Sequence, residues 1–274
     1  MYKVLQVTDS HLALPGETVF DSDPHQKLEA AINDINRHHA DASLCVFTGD
    51  LVNNSDPRTY RLLGETIRKI VVPYRIIPGN HDERHLLRQE FPEINVDENG
   101  FLQSVMETPA GWLFFLDTVD EGKHSGAYCE RRTAWLKRRL DEVGGKPVYI
   151  FMHHPPFHIG MKHLDTYVMV DGDRFGDLLA HYSNIRHIFL GHVHRPVTGS
   201  WRGIAFSALR STNHQAYLDL ADGDLNICTL EPPSYGVILL DDARTIVHFH
   251  DYLDQNGKYA YYPERPHGQQ VVRL

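Results

Sequence analysis

Residues of the types that bind metal ions recur in short groups along this chain, each after an apolar run. The groups are Asp9 with His11, Asp50, Asn80, His153, and His192 with His194. Together they offer three side-chain oxygen donors and four imidazoles, more than one tetrahedral zinc ion accepts. They suit two divalent or trivalent ions that share a carboxylate. Mixed histidine and carboxylate ligation favours iron, manganese, zinc or cobalt.

Two of these groups have their ligand-type residues two positions apart. They are Asp9-x-His11 and His192-x-His194. In extended backbone, side chains two positions apart point to the same side. We therefore expect each pair to converge on the same metal centre.

A tight turn at the end of a strand is predicted at Gly79-Asn80-His81-Asp82, directly after the apolar residues 76–78. Gly79 lets the backbone turn without steric cost. Asn80 supplies a neutral amide oxygen and His81 an imidazole. On these four residues alone, an Asx turn with a solvated histidine is as good an interpretation as a binding site. Asp82 is expected to cap the helix that follows.

Other polar residues near these groups have ordinary structural interpretations. His154 and His158 are expected to be hydrogen-bonded or exposed, and Asp117 to cap a hairpin. Asn53 either orients a metal ligand or caps its own loop. His214, in a polar segment, is typical of an exposed loop histidine.

The elements that must position these residues alternate between strands and helices. Apolar runs predict strands at residues 3–8, 44–48, 74–77, 148–152 and 185–190. Helical spacing of apolar residues predicts helices at 25–39, 58–70, 130–143 and around 175–182. A hairpin is predicted within 101–117, and short strands at 197–201, 204–208, 237–240 and 246–250. In helix-covered sheets, ligands bind at the carboxyl ends of strands, where the metal-binding residue types stand.

The composition favours a globular protein and disfavours one that binds nucleic acid. The 274 residues are 42% hydrophobic, which is enough for a sizeable core. The formal net charge of -9 disfavours binding to a nucleic-acid polymer. A small anionic substrate is compatible with this charge if cations in the site offset the negative field. No internal repeat or clear linker occurs, so we expect one domain.

Cysteine usage and apolar runs indicate the compartment. Cys45, Cys129 and Cys228 form no CxxC pair, which indicates neither a structural zinc ribbon nor a redox motif. A reducing, cytoplasmic location is expected. We see no secretory signal and no apolar run of membrane-spanning length, so no membrane partner is expected. The Tyr-rich tail and residues 215–233 are expected to supply a cap or an oligomer surface, and we expect a homo-oligomer.

The motif series resembles the calcineurin-like metallophosphoesterase superfamily. It consists of Asp9-x-His11, Gly49-Asp50, Gly79-Asn80-His81-Asp82, His153 and Gly191-His192-x-His194, in order over residues 9–194. The run 152–156 and the compact length resemble the bacterial cyclic-nucleotide and glycerophosphodiester phosphodiesterase branch. The resemblance implies an α/β fold, a four-layer α/β/β/α sandwich of two mixed β-sheets flanked by helices, as a single domain over 1–274. Residues from about 195 to 274 match less clearly.

The resemblance also implies a dinuclear metal site. One metal would take Asp9, His11, Asp50 and His194. The other would take Asp50, Asn80, His153 and His192, with Asp50 bridging. His81 corresponds to the family's phosphate-facing histidine, and the resemblance implies that Asn80, His81 and His214 contact substrate.

The expected chemistry is hydrolysis of small phosphodiesters, which are cyclic nucleotides, glycerophosphodiesters or similar. Two adjacent metals would convert a bridging water to hydroxide, which attacks phosphorus, with Asp50 and His81 as the catalytic residues. His81 would donate a hydrogen bond or a proton to the substrate. One alternative is a phosphomonoesterase or protein phosphatase of the same superfamily. Others are a DNA exonuclease, which the charge disfavours, and a non-catalytic scaffold, which the intact ligand set disfavours. The sequence leaves the physiological diester and the metals open.

Overall fold

The structure, a computed structural model, describes residues 1–221, 226–261 and 271–273. The helices are α1 (Pro24–His38), α2 (Pro57–Ile67), α3 (Arg84–Glu90), α4 (Glu130–Val143), α5 (Lys162–Asp165) and α6 (Gly172–Leu179). The strands up to the fifth helix are β1 (Tyr2–Val7), β2 (Leu44–Thr48), β3 (Tyr74–Ile77), β4 (Ser104–Thr108), β5 (Gly111–Phe115) and β6 (Val148–Met152). The later strands are β7 (Ile185–Leu190), β8 (Val197–Trp201), β9 (Ile204–Ala208), β10 (Gln215–Ala216), β11 (Cys228–Thr229), β12 (Tyr235–Leu240), β13 (Thr245–His250), β14 (Tyr259–Tyr261) and β15 (Val271–Arg273).

Two large mixed sheets form the centre of the molecule. The first has the strand order β13-β12-β1-β2-β3, and the second has the order β4-β5-β6-β7-β9-β8. In the first sheet β1, β2 and β3 are parallel, and β12 runs antiparallel between β1 and β13. In the second sheet β5, β6, β7 and β9 are parallel. The parallel strands of each sheet therefore end at a common edge.

Three apolar clusters hold the sheets and helices together. The cluster between the sheets joins Val4 and Val46 of the first sheet to Phe115, Phe151 and Phe189 of the second. A second cluster packs helices α1, α2 and α3 on the outer face of the first sheet. A third packs α4 and α6 on the outer face of the second sheet. Helices, sheet, sheet and helices form four layers, so the predicted α/β/β/α sandwich is confirmed.

Local sequence signals explain where the first two helices begin. Asp23 accepts hydrogen bonds from the backbone nitrogens of His25 and Gln26, at 3.0 and 3.1 Å. Asp56 accepts one from Arg58 nitrogen at 2.8 Å. A proline follows each cap at the first helical position, where its missing N–H costs nothing. The helices start one residue before the predicted positions, because the predictions rested on apolar spacing rather than on these caps.

Most predicted strands agree with the structure, and the differences have local causes. The hairpin pairs Thr108 with Gly111, so its strands lie closer to the turn than predicted. β10 and β11 have two residues each, which is too short for an apolar period to show. No helix in the described part of the chain is long and apolar enough to cross a membrane.

Candidate metal centre

The side chains proposed as ligands stand at the carboxyl ends of strands from both sheets. The ends of β1, β2 and β3 in the first sheet are followed by Asp9, His11, Asp50 and Asn80. The ends of β6 and β7 in the second are followed by His153, His192 and His194. Because the parallel strands of each sheet end at one edge, donors far apart in sequence become neighbours.

One group of donors contains Asp9, His11, Asp50 and His194. A ligand atom from each of these side chains lies within 4.8 Å of the others, and all are buried. Nε2 of His194 lies 3.2 Å from Oδ1 of Asp9 and 3.1 Å from Nε2 of His11. This is the set that the resemblance implies for the first metal.

A second group surrounds the other side of Asp50. Oδ2 of Asp50 lies 3.4 Å from Nε2 of His153 and 3.7 Å from Nε2 of His11. Nε2 of His153 is also 3.3 Å from the amide oxygen of Asn80. The His192 ring centroid lies 5.1 Å from that of His153. Asp50 therefore faces histidines of both groups.

Two histidines that the sequence did not single out as metal neighbours lie close to these groups. His154 clusters with His153 and His192, and its Nδ1 is 2.8 Å from the Thr118 hydroxyl. It is hydrogen-bonded, as predicted, while His158 is exposed, also as predicted. His214 clusters with His11 and His194 and is only 8% exposed. The interpretation of His214 as an exposed loop residue is therefore wrong, because the segment folds back over the centre.

Backbone carbonyls fix the orientation of three imidazoles. Nδ1 of His153 donates to the Thr48 oxygen at 2.7 Å, and Nδ1 of His194 donates to the His214 oxygen at 2.9 Å. A carbonyl only accepts, so Nδ1 carries a hydrogen and Nε2 is the ring nitrogen that faces the donors around Asp50 and Asp9. Nδ1 of His81 likewise donates to the Asn53 oxygen at 2.8 Å.

The hydrogen bond between His81 and Asn53 shows how Asn53 supports the site. Its backbone carbonyl, rather than its side chain, orients a histidine. Its backbone nitrogen donates to the Leu12 oxygen at 2.8 Å and ties the loop after β2 to the loop after β1. Asn53 thus positions His81, a role that neither sequence interpretation stated.

The two carboxylates are buried and ionised. Burial disfavours the charge of Asp50, but the neighbouring His153 and His81 outweigh it and hold the Asp50 pKa well below its usual range. Burial also opposes ionisation of Asp9, yet His194 lowers the Asp9 pKa. Asp9 additionally accepts from the Thr8 hydroxyl at 2.6 Å and from the backbone nitrogen of His192 at 3.1 Å. These bonds stabilise the negative form that a cation requires.

Unpaired polar atoms in the same place indicate that the centre is built for a cation. Nδ1 of His11, Nε2 of His192 and Nε2 of His154 are buried and have no hydrogen-bond partner among the residues that the structure describes. Such atoms cost free energy unless something binds them. Burial lowers the pKa of His192 to about 3, so its ring is neutral and has a lone pair to offer. The residues present therefore fit a metal centre.

The backbone at this centre is strained at five non-glycine positions. The left-handed φ values are 53° for Asp9, 43° for His11, 49° for Asp50, 67° for His192 and 52° for His194. Non-glycine residues adopt this region rarely and at a cost. The expectation that Asp9-x-His11 and His192-x-His194 converge through extended backbone is therefore wrong. These pairs converge because their loops turn left-handed directly after the strands.

Two glycines allow the loops to approach one another. A Cβ on Gly79 would lie 2.3 Å from the backbone nitrogen and from Oδ1 of Asp50. A Cβ on Gly49, which has φ of +91°, would lie 2.6 Å from Nδ1 of His153. Any side chain at either position would displace a proposed ligand.

Asp82 links two of the ligand loops instead of capping a helix. Its carboxylate accepts from the backbone nitrogens of Gly79 at 2.8 Å and Leu51 at 3.1 Å. The cap position of α3 is Glu83, which makes no side-chain cap bond. The predicted helix cap is wrong, because the buried amides of the loop after β2 bind the carboxylate instead. Burial, with Asp50 nearby, raises the pKa of Asp82 to about 7.

Asp117 is likewise not a hairpin cap. It is fully buried and pairs with Arg84, whose Nε and Nη2 donate at 2.6 and 2.8 Å. Its oxygens also accept from the backbone nitrogens of Leu102 and Val119. The prediction that Asp117 caps the hairpin failed because its partner, Arg84, comes from a distant helix.

A cavity of about 240 Å³ opens over the metal groups. Asn80, His81 and His214, which the resemblance implies as substrate contacts, all line it. Its outer part is lined by four residues that sequence analysis missed, His124, His163, Leu164 and Tyr167. They lie in loops and a short helix without an apolar period, so no sequence signal pointed to them. The outer part also contains Ala216, Asn226 and Cys228, which belong to the segment 215–233 that was expected to supply a cap or an oligomer surface.

The sequence profile of the calcineurin-like phosphoesterases matches residues 2–196. The chain belongs to this family. It is 34% identical, over 90% of its length and 91% of the relative, to a probable cyclic nucleotide phosphodiesterase of Rhodopseudomonas palustris. It is 33% identical, over 96% of its length and 97% of the relative, to a probable glycerophosphodiester phosphodiesterase of Arcobacter nitrofigilis. It is 25% identical, over 77% of its length and 76% of the relative, to the 3',5'-cyclic adenosine monophosphate phosphodiesterase of Escherichia coli K12.

Solved structures share the fold at low identity. A dimetal phosphatase from Danio rerio superposes with a TM-score of 0.69 at 14% identity, covering 92% of this chain and 97% of that one. A purple acid phosphatase from yellow lupin superposes with a TM-score of 0.67 at 12% identity, covering 93% of this chain and 52% of that one. These similarities identify the metallophosphoesterase fold.

Proposed function

We propose that this chain is a metal-dependent phosphodiesterase that hydrolyses small phosphodiesters at a dinuclear centre. The observation that carries the proposal is the position of Asp50, whose Oδ2 lies 3.7 Å from His11 and 3.4 Å from His153. One carboxylate between two groups of histidines suits two cations that share it. The names of the full-length relatives, which are cyclic nucleotide and glycerophosphodiester phosphodiesterases, support the substrate class.

The ligand sets follow from the two groups around Asp50. Asp9, His11 and His194 would complete one set with it, and Asn80, His153 and His192 the other. Metal ions held there supply Lewis acidity toward the phosphate oxygens and a nucleophile from water at neutral pH. Iron, manganese, zinc or cobalt suit these donors.

His81 is proposed to act on the substrate rather than on a metal. Its Nδ1 is occupied by the Asn53 carbonyl, and the residue lines the cavity. Because Nδ1 donates to that carbonyl, Nε2 is the ring nitrogen left for the substrate. As a general acid, His81 would give a proton to the departing alkoxide, and Asn80 and His214 would hold the phosphate beside it.

A diester suits this cavity better than a monoester dianion. Among the described residues that line it there is no lysine or arginine. A diester has one negative charge, while a monoester at neutral pH has up to two, so the monoester needs more positive charge than the lining offers beyond the metals. A phosphomonoesterase is thus the weaker alternative.

The test is a panel of substrates measured with each candidate metal. The apoprotein is loaded with iron, manganese, zinc or cobalt. The kcat/KM is then compared for cyclic AMP, glycerophosphodiesters, bis-p-nitrophenyl phosphate and p-nitrophenyl phosphate. We expect the diesters to be preferred with at least one metal. Faster turnover of p-nitrophenyl phosphate than of its bis ester with every metal would overturn the diester proposal.

We further infer one domain over 1–274, a homo-oligomer and a cytoplasmic location. β12 and β13 complete the first sheet, which makes the C-terminal part integral to the fold, although 222–225, 262–270 and 274 lie outside the described residues. Exposed apolar residues support an oligomer surface, and they are Tyr217, Leu218, Leu220, Ile227 and Leu230. The three cysteines form no disulfide, which suits a reducing compartment such as the cytoplasm. Limited proteolysis tests the single domain, light scattering tests the oligomer, and cell fractionation tests the location.

A further inference from the structure

A row of aromatic rings leads from the metal groups to the mouth of the cavity. The ring centroids of His11 and His81 are 4.7 Å apart, and those of His81 and His124 are 5.9 Å apart. Tyr167 follows, with its centroid 5.7 Å from that of His124 and 5.4 Å from that of His163. These spacings are those of interacting aromatic side chains. The row forms one wall of the cavity, which we call the aromatic wall.

The outer rings of the aromatic wall stand on fixed supports. The loop that carries His124 is held by Arg84, which donates to the Val119 oxygen at 2.8 Å and to Glu121 at 2.7 Å. Nδ1 of His124 itself lies 3.4 Å from the amide nitrogen of Asn80. Tyr167 follows α5, and its backbone nitrogen donates to the Leu164 oxygen at 2.9 Å. The backbone segments that carry the two rings are therefore held by bonds within the fold.

The other cavity-lining residues beyond the metal groups are smaller. They include Ala216 and Cys228 of the short strands β10 and β11, and Asn226 beside them. Rings on the aromatic wall together with smaller side chains elsewhere leave room for a flat group. Such a group stacks on an aromatic side chain whatever its edge chemistry.

The charged residues that line the cavity limit the chemical class of the flat group. The described lining residues contain no lysine or arginine, and Asp50, among the metal groups, is their only carboxylate. A second phosphate would find no lysine or arginine among the described residues of the outer cavity. A quaternary ammonium group prefers several electron-rich aromatic faces, but the described residues of the outer wall offer a single tyrosine, Tyr167. An uncharged planar group satisfies both limits.

We propose that Tyr167 and His124 form a subsite for an uncharged planar aromatic group of the diester, such as a nucleobase. This inference rests on the proposed function and selects cyclic nucleotides over glycerophosphodiesters as the better class of substrate. Tyr167 and His124 are specificity residues in this account, since neither belongs to the proposed ligand sets.

The test compares two diesters on matched variants of the metal-loaded protein. Tyr167→Leu removes the ring, Tyr167→Phe keeps it, and Tyr259→Leu replaces an exposed tyrosine outside the cavity as a control. For Tyr167→Leu we expect kcat/KM on cyclic AMP to fall about 10- to 100-fold, mainly through KM, which is the scale of losing one base stack. Turnover of glycerophosphoethanolamine should stay within about 3-fold, because that substrate has no ring to stack. Tyr167→Phe and Tyr259→Leu should resemble the wild type on both substrates, and His124→Ala should add to the loss on cyclic AMP alone.

Two results would overturn the subsite. One is an equal loss on both diesters, which would mean that Tyr167 only supports the fold. The other is a larger loss on glycerophosphocholine than on cyclic AMP, which would indicate a cation-binding wall.

Product binding separates this inference from the proposed function. If the wild type hydrolyses no diester, the proposed function fails, but adenosine monophosphate and glycerol 3-phosphate still report on the cavity by calorimetry. We expect Tyr167→Leu to weaken the nucleotide about 10-fold or more and to leave glycerol 3-phosphate unchanged. Equal affinity of wild type and Tyr167→Leu for the nucleotide would overturn the subsite, whatever the activity.

Discussion

Asp50 and Asp117 are both buried carboxylates that stand at or just beyond the end of a strand, yet their surroundings differ. They are 2% and 0% exposed. Each oxygen of Asp117 accepts from Arg84 and from a backbone nitrogen. Oδ2 of Asp50 instead faces the Nε2 atoms of His11 and His153, and an imidazole is positive only after it takes up a proton. Asp117 is paired with a guanidinium that is always charged, whereas Asp50 is surrounded by imidazoles, which also bind metal ions.

The backbone around the two carboxylates differs in the same way. Asp50 has a left-handed φ of 49° and lies among proposed ligand histidines, of which His11 and His192 have a nitrogen without a partner among the described residues. Asp117 has no left-handed φ. Backbone strain together with unpaired buried polar atoms is typical of a binding site. A buried carboxylate that is paired with a guanidinium, as Asp117 is, is typical of a structural role.

The largest effect is expected when the shared carboxylate is removed. Asp50→Ala would leave the histidines without their common anion, so metal content should fall in at least one site. Activity should drop to background, a greater loss than the about 10²–10⁴-fold that one general acid contributes. Elemental analysis and diester assays measure both effects, with Asp173→Ala, an exposed aspartate, as the control. Full occupancy of both sites in Asp50→Ala would contradict the bridging role.

His81→Ala tests whether His81, beside Asp50, acts on the substrate rather than on a metal. We expect metal content close to that of the wild type, and kcat about 10²–10⁴-fold lower on a diester with an alkoxide leaving group. The loss should be smaller with p-nitrophenolate, which leaves without a proton. Equal losses on both substrates would exclude the acid role, and loss of metal would make His81 a ligand.

Asp117→Ala tests the buried ion pair between Asp117 and Arg84. It would leave the largely buried guanidinium of Arg84 without its buried anion, so the free energy of unfolding should fall by about 3–5 kcal/mol. Urea unfolding measures this change. Asp41→Ala, in an exposed pair with Lys3, is the control and should have a much smaller effect. A stability change no larger than that of Asp41→Ala would mean that the pair does not hold the fold.

Metal removal should affect the surroundings of Asp50 but not those of Asp117, and its effect should be the smallest of the series. At free metal about 100 times its Kd, binding stabilises the native state by about 2.7 kcal/mol, so chelation should lower the wild-type Tm. Asp117→Ala should keep this metal-dependent shift, and Asp50→Ala should lose most of it. The same shift in both variants would place the metal away from Asp50.

The position of the metal centre could be predicted because strand ends are visible in the sequence. Asp9, Asp50 and His153 each follow an apolar run, and neighbouring parallel strands end together. Asp117 follows such a run too, so its type and position did not distinguish it from Asp50. The difference lies in Arg84, a contact across 33 positions of the chain, which no local pattern encodes.

Backbone strain and the outer cavity could not be predicted for related reasons. His11 and His192 have side chains that favour negative φ, and only the assembled loops hold them left-handed. Tyr167 and His124 come from connections whose direction depends on the helices and sheet around them. Asp82 looks like a helix cap in sequence, but the buried amides of Leu51 and Gly79 bind it instead.

The place of β12 in the first sheet has a consequence for biosynthesis. β12 pairs antiparallel with β1, joining Tyr2–Gln6 to Gly236–Leu240. A ribosome adds about 5–20 residues per second, so on the order of 10–50 s pass between the synthesis of β1 and that of its partner. During this interval one edge of the strand that leads to Asp9 has open N–H and C=O groups. An open edge of this kind recruits other strands, so the nascent chain is most exposed to aggregation, and most dependent on chaperones, before β12 is made.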